Sequence, residues 1–299
     1  VYDLWEKTID ALSGVGRVGV FIVKVLSLGA GVQSTTLLLM ACKGEIEKPD
    51  VAIFADTGWE SKKTYKHLAW LKGEAERNGI PVVTVNERNI RDDSLNATEL
   101  NGGFYFMPLH LDKSGVHLMG KRQCTDRYKL RPIFHKIREL LDVSRKARLP
   151  KDSVEMWIGI SLDECKRMSL SPSKWVGKRY PLVERMMSRN DCIKWLHENY
   201  NGLSVAKSSC IGCPYHDTTT WQEIYAEPDE WADAILVDEA IRHGSKKAVG
   251  YSQYLHRLLI PLRDVDLRTP EDKGQLPFDF YKQERIKLFA TTKPLWVPS

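Results

Sequence analysis

Short apolar runs alternate with helix-spaced stretches along the first half of the chain. Residues 22–26 (IVKVL) lead into a helix-like stretch from about 34 to 43, and residues 51–55 (VAIFA) into one from about 61 to 78. In the latter, Leu68, Leu71 and Ala75 recur at helical spacing. Residues 81–85 (PVVTV) give a third strand, opened by a proline that a strand start tolerates, and residues 155–160 (EMWIGI) a fourth. Strands alternating with helices predict right-handed crossovers and an α/β fold with a mostly parallel, twisted sheet flanked by helices. Ligands of such sheets lie beyond the strands' carboxyl ends, where the strand order reverses.

The rest of the chain is less periodic. Residues 1–20 read as a short amphipathic helix (Trp5, Ile9, Leu12) and a glycine-bearing link, residues 21–217 as the main domain, and residues 218–299 as a helical extension and tail. Within these, residues 87–120 form a polar insertion and residues 129–148 a basic helix with Ile133, Ile137 and Leu140 on its apolar side. Residues 218–257 look helical, and the tail from 258 onward carries five prolines. A composition of 42% hydrophobic and 28% charged residues is that of an ordinary globular protein. No run approaches the roughly 20 apolar residues of a membrane span. Without a basic-then-apolar leader, and with six unevenly spaced cysteines, the expectation is a cytoplasmic protein with no membrane partner. A net charge of +5 permits an anionic partner without requiring one.

Candidate chemistry begins at residues 27–35, SLGAGVQST, between the first strand and its helix. Gly29 and Gly31 allow a tight turn that presents backbone N–H groups, while Ser34 and Thr35 stand at a helix start, where anions are favoured. Nucleotide phosphate is the first ligand this predicts. ADTGWE, ending the second strand, offers Asp56 and Thr57 to a metal or ribose; the alternative is a helix N-cap supplied by Asp56 or Ser61. RQCTDRYKLRP sets Cys124 among cations, GISLDECKR places Gly159, Asp163, Glu164 and Arg167 after the fourth strand, and SSCIGCPYH is a CxxC knuckle followed by proline. Cys42 and Cys192 read as core residues, and Cys165 as a packing residue beside the cleft. Cations at Lys121, Arg122, Arg127, Lys129 and Arg131, continuing through Lys136, Arg138, Arg145, Lys146 and Arg148, read either as a solvated face or as a phosphate-tracking surface.

These five motifs, in this order, resemble the phosphoadenosine phosphosulfate reductase branch of the PP-loop ATP pyrophosphatases over about residues 22–215. The resemblance implies that Ser27, Gly29, Gly31, Ser34 and Thr35, with Gln33 among them, hold nucleotide phosphates, and that Asp56, Thr57, Gly159, Asp163, Glu164 and Arg167 line the same cleft. It implies ATP attacked at its α-phosphate with release of pyrophosphate, Mg2+ on Asp56 and Asp163, and Arg167 neutralising developing charge. Two departures stand out. The family's loop carries Asp where this chain has Gln33, and Gln offers magnesium no carboxylate. Reductases of the family attack with a cysteine near the C-terminus, whereas this chain has none after Cys213. The remaining trio, Cys124, Cys210 and Cys213, resembles the three-cysteine [4Fe-4S] pattern of PP-loop tRNA thiolases; with His216 it spells a Cys3His zinc set instead.

The expectation is therefore an ATP-dependent enzyme, an adenylating and thiolating sulfurtransferase that acts on tRNA, DNA or another polyanion and takes sulfur from a donor. The alternatives are a sulfonucleotide reductase with an unusual thiol, Cys165 being the candidate, and a non-catalytic nucleotide- or nucleic-acid-binding protein. A homodimer stays open.

Overall fold

The computed structural model describes residues 22–97, 107–243, 250–268 and 272–274; the predicted helix within 1–20 and most of the tail lie outside them. The central sheet contains β1 (Val23–Leu28), β2 (Val51–Ala55), β3 (Val82–Val85), β6 (Val154–Ile158) and β7 (Val176–Arg179), in the order β3-β2-β1-β6-β7 and parallel throughout. Four strands follow the apolar runs. The fifth, Val-Gly-Lys-Arg, is an edge strand with one buried side chain, Val176, and so leaves almost no hydrophobic trace in the sequence.

Alternation along the strands divides the core between the two faces of the sheet. Leu26, Leu28, Ala52, Phe54 and Trp157 pack with α1 (Val32–Cys42) and α2 (Lys62–Arg77), and with Leu182, Cys192 and Leu196 further along the chain. Cys42 and Cys192 are buried there, as expected, and burial raises both thiols to about 11. Val23, Val25, Val51, Ile53, Ala55, Val154 and Met156 face the other way, onto Ile133 and Ile137. The short α3 (Ile90–Leu95) follows β3. The basic stretch is a π-helical turn, Thr125–Leu130, running into α4 (Arg131–Leu140); it stops short of the predicted end, where Asp142 takes a left-handed φ of 51°. On the far side of β6 lie a 3-10 turn (Leu162–Arg167), α5 (Pro181–Glu184) and α6 (Arg189–Asn199), the last closed by a Ser188–Asp191 capping box.

Within the polar insertion the chain forms a hairpin, β4 (His110–Lys113) and β5 (Val116–Met119). Helices α7 (Thr218–Tyr225) and α8 (Pro228–Ile241) follow the knuckle as expected, but the chain then makes β8 (Ser252–Tyr254) where a helix was predicted. Pairing with β4 and the Gln253 side-chain bond to the Ile241 carbonyl oxygen override the local pattern. Trp221, Ile224, Ala234, Val237 and Leu255 share a core with Trp59, Leu109, Tyr128 and Ile211, so the C-terminal helices pack directly against the loops that carry the candidate motifs. No helix among the described residues is long and apolar enough to cross a membrane.

Candidate functional site

The strand order reverses between β1 and β6, since β1 continues to β2 on one side and meets β6 on the other. Ser27 pairs with Ile158 at that point, so the glycine loop and Gly159 leave the sheet side by side. A Cβ on Gly159 would stand 2.9 Å from the Ser34 nitrogen, so the absence of a side chain there is what lets β6 end against the first turn of α1. In the loop itself the left-handed residue is Ala30, at φ 54°, rather than either flanking glycine. Gly31 ends the loop as the N-cap of α1 and supplies no side-chain cap, leaving that end to an anion. The loop is braced internally: the Gly29 N–H donates to the Ser34 hydroxyl (3.1 Å), and the Ser208 hydroxyl donates to the Gly29 carbonyl.

This loop forms one wall of a 420 Å3 cleft. Ser27, Gly29, Gly31, Gln33, Ser34, Gly159, Glu164 and Arg167, all predicted, line it together with Cys213 and His216. Among the described residues, five cations also line it, Arg122, Lys129, Arg167, Arg189 and Lys207, against a single carboxylate, Glu164. Two larger hollows, of 520 and 670 Å3, lie away from the loop. The charge imbalance, rather than size, sets this cleft apart as the candidate site. Arg189, Lys207, Ser208, Ser209 and Tyr215 were not legible as site residues. Arg189 opens a helix and Lys207 stands in an irregular segment, so neither carries a motif of its own.

Several predicted residues stand elsewhere. Thr35 is wholly buried, with its hydroxyl 3.0 Å from His67 Nε2. Asp56 does not line the cleft; its Oδ1 accepts from the Gly58 N–H and the Tyr65 hydroxyl, both at 2.8 Å. The N-cap in that segment is Ser61. Asp163 accepts from the Arg189 backbone N–H (2.8 Å); hydrogen bonds from Ser161 and that N–H hold its carboxyl below the usual range. Thr57 is buried, donates to Glu60 (3.0 Å) and stands 3.1 Å from Cys210 Sγ.

The end of β2 and the knuckle are joined. Glu60 and Cys210 form an antiparallel bridge, and the Ile211 N–H donates to the Trp59 carbonyl (2.8 Å). Glu60 is buried; its Oε1 lies 3.7 Å from Lys129 Nζ, while its Oε2 has no partner. Burial opposes the charge on Lys129, but Glu60 and the nearby sulfurs of Cys210, Cys124 and Cys213 outweigh it and raise the ammonium above its usual range. The three predicted thiols thus gather about one lysine. Burial pushes the Cys210 thiol far up and Cys213 up as well. Among the described residues, no three His, Cys, Asp or Glu side chains are grouped so as to hold a metal ion. His216 uses Nε2–H to donate to the Cys210 and Ile211 carbonyls (2.9 and 3.0 Å), which staples the knuckle and leaves Nδ1 buried without a partner. Cys165 is exposed and does not line the cleft.

The basic stretch divides in two. Arg122 and Lys129 reach the cleft. Lys136 and Arg145 are paired with Glu139 and Glu87, and Arg138 lies over the Trp175 ring while binding the Ser144 and Ala147 carbonyls.

No protein-family model and no curated protein matches this sequence. Among solved structures, the phosphoadenylyl-sulfate (PAPS) reductase of Candida auris, in its phosphate complex, is similar at 15% identity with a TM-score of 0.39, over 69% of this chain and 81% of that one. A likeness at that level decides nothing about function; the α/β fold class stands on the strand order described above.

Proposed function

We propose that the protein is a PP-loop-type enzyme that binds ATP by its phosphates in the cleft between the glycine loop and Gly159 and transfers its adenylyl group to an anionic acceptor. The observation that carries this reading is the set of five cations against one carboxylate around an uncapped helix N-terminus at the sheet's switch point. In the reaction, an acceptor oxygen attacks the α-phosphorus and the bond to the bridging oxygen breaks. Pyrophosphate leaves with that electron pair. Arg167, Arg189 and Lys207 neutralise charge on the phosphates, and backbone N–H groups at the start of α1 orient them. Thiolation of the adenylated acceptor, with tRNA or DNA as acceptor and a separate sulfur donor, extends the same proposal. Among the described residues the side chains do not form a metal-ligand set, so no step runs through a cluster or zinc. Release of pyrophosphate from ATP, with AMP becoming attached to cellular RNA or DNA, supports the reading; intact ATP across a broad acceptor panel contradicts it.

One observation favours a second reading. Cys213, half of the CxxC pair, lines the cleft, whereas Cys165 does not. A sulfonucleotide bound there would meet a thiol: Cys213, once deprotonated, attacks the sulfur, the S–O bond breaks and the nucleotide leaves. Cys210 then displaces sulfite, closing a disulfide that an external dithiol reduces. Sulfite release that disappears in Cys213→Ser supports this route, and release that persists there excludes it.

A further inference from the structure

Both carboxylates expected to carry magnesium, Asp56 and Asp163, are already hydrogen-bonded. Asp56 is held by Gly58 and Tyr65 away from the cleft wall, and Asp163 is tied to the Arg189 backbone. Glu60 is buried, with Lys129 3.7 Å from its Oε1. Glu164, the carboxylate that lines the cleft, accepts from Gln33 Nε2 (3.0 Å) and is ion-paired with Arg167, whose Nη1 is 2.8 Å away.

Gln33 explains the arrangement. Its amide is both donor and acceptor. Nε2 donates to Glu164 and, at 3.4 Å, to the Ser161 hydroxyl, while Oε1 accepts from Arg189 Nη1 at 2.9 Å. The chain Arg189–Gln33–Glu164–Arg167 therefore fixes two guanidinium groups at the cleft. Arg189 receives a neutral acceptor from Gln33 and, among the described residues, has no ion pair, so its charge is left for a ligand. A carboxylate at position 33 would do the opposite. It would repel Glu164, neutralise Arg189, and offer a divalent cation two acids side by side.

We infer that Gln33 is a positioning residue that makes this cleft bind its polyphosphate through fixed guanidinium groups, without a protein-held divalent cation. The inference rests on the nucleotide-phosphate reading above and deepens it. Any magnesium in the reaction then arrives on the nucleotide's own phosphates. Because magnesium lowers the charge of a polyphosphate, a cleft in which cations outnumber carboxylates prefers the metal-free anion.

Titration calorimetry of the full chain with inorganic pyrophosphate, and separately with ATP, tests this in EDTA and in excess Mg2+. The wild-type protein is expected to bind at least as tightly in EDTA as in magnesium. Arg189→Ala, a change at a helix start, should weaken binding about tenfold or more in both media. Gln33→Glu should bind more weakly in EDTA and be strengthened by magnesium, a reversal of sign that a merely structural role for Gln33 would not produce. Wild-type binding seen only with magnesium, or a Gln33→Glu response identical to wild type, overturns the inference while leaving the phosphate cleft intact. Absence of binding by pyrophosphate and ATP in both media overturns the inference together with the functional reading beneath it.

Discussion

Gly212, between the two knuckle cysteines, is fixed by one contact. A Cβ there would fall 2.1 Å from Trp59 Cη2 and 2.5 Å from Cζ3. The indole cannot swing aside freely: Trp59 is buried, and its Nε1 donates to Asp233 (2.7 Å), which also pairs with Arg91. Overpacking of this kind typically costs about 1–3 kcal/mol. Gly212→Ala is accordingly expected to lower stability by about 2 kcal/mol in urea denaturation, and an unchanged midpoint would mean that the knuckle yields. Gln33 is the complementary case, a residue whose value lies in having two kinds of polar atom. Sequence alone marked it as the loop's departure from an acidic residue, but its partners, Glu164 and Arg189, are 131 and 156 positions away. Spacing carries no trace of such a pair.

At the level of elements, the ends of β1 and β6 build the cleft, and Gly159 is the hinge of that construction. Gly159→Ala should leave strands and helices in place while displacing the first turn of α1. Far-UV circular dichroism is expected to stay unchanged and ATP affinity to fall about tenfold; wild-type affinity would show that the close approach of Gly159 to Ser34 is not needed. Four strands and the glycine loop were legible because buried strands leave apolar runs and the turn leaves glycines. What was not legible has a common cause. Strands β4, β5, β7 and β8 bury few side chains, and Ser252–Tyr254 becomes a strand because β4 offers it an edge. Similarly, Cys124, Cys210 and Cys213 could be named from their motifs, whereas the ion pair of buried Glu60 with the partly exposed Lys129 could not. Partners contributed by tertiary packing have no local signature.

The whole molecule carries buried imidazoles that report on acid. Burial lowers His216 to about 4; burial, with Arg257 and His110 nearby, does the same to His256. Between pH 6.5 and about 4 the unfolded chain takes up protons at both rings while the folded protein does not. Their contribution to stability is therefore complete above 6.5 and lost as the pH falls through that window. Denaturation midpoints should drop steeply between pH 6.5 and 4, and His216→Gln should flatten that drop; a slope unaltered by the substitution would remove His216 from the account. On the same scale the net charge of +5 is modest, yet five cations converge on one cleft. ATP titration calorimetry across a salt series reads that convergence. One ATP per chain is expected to bind, weakening markedly as salt rises and by about tenfold or more in Arg189→Ala. Binding indifferent to both salt and Arg189, or no binding at all, would contradict it.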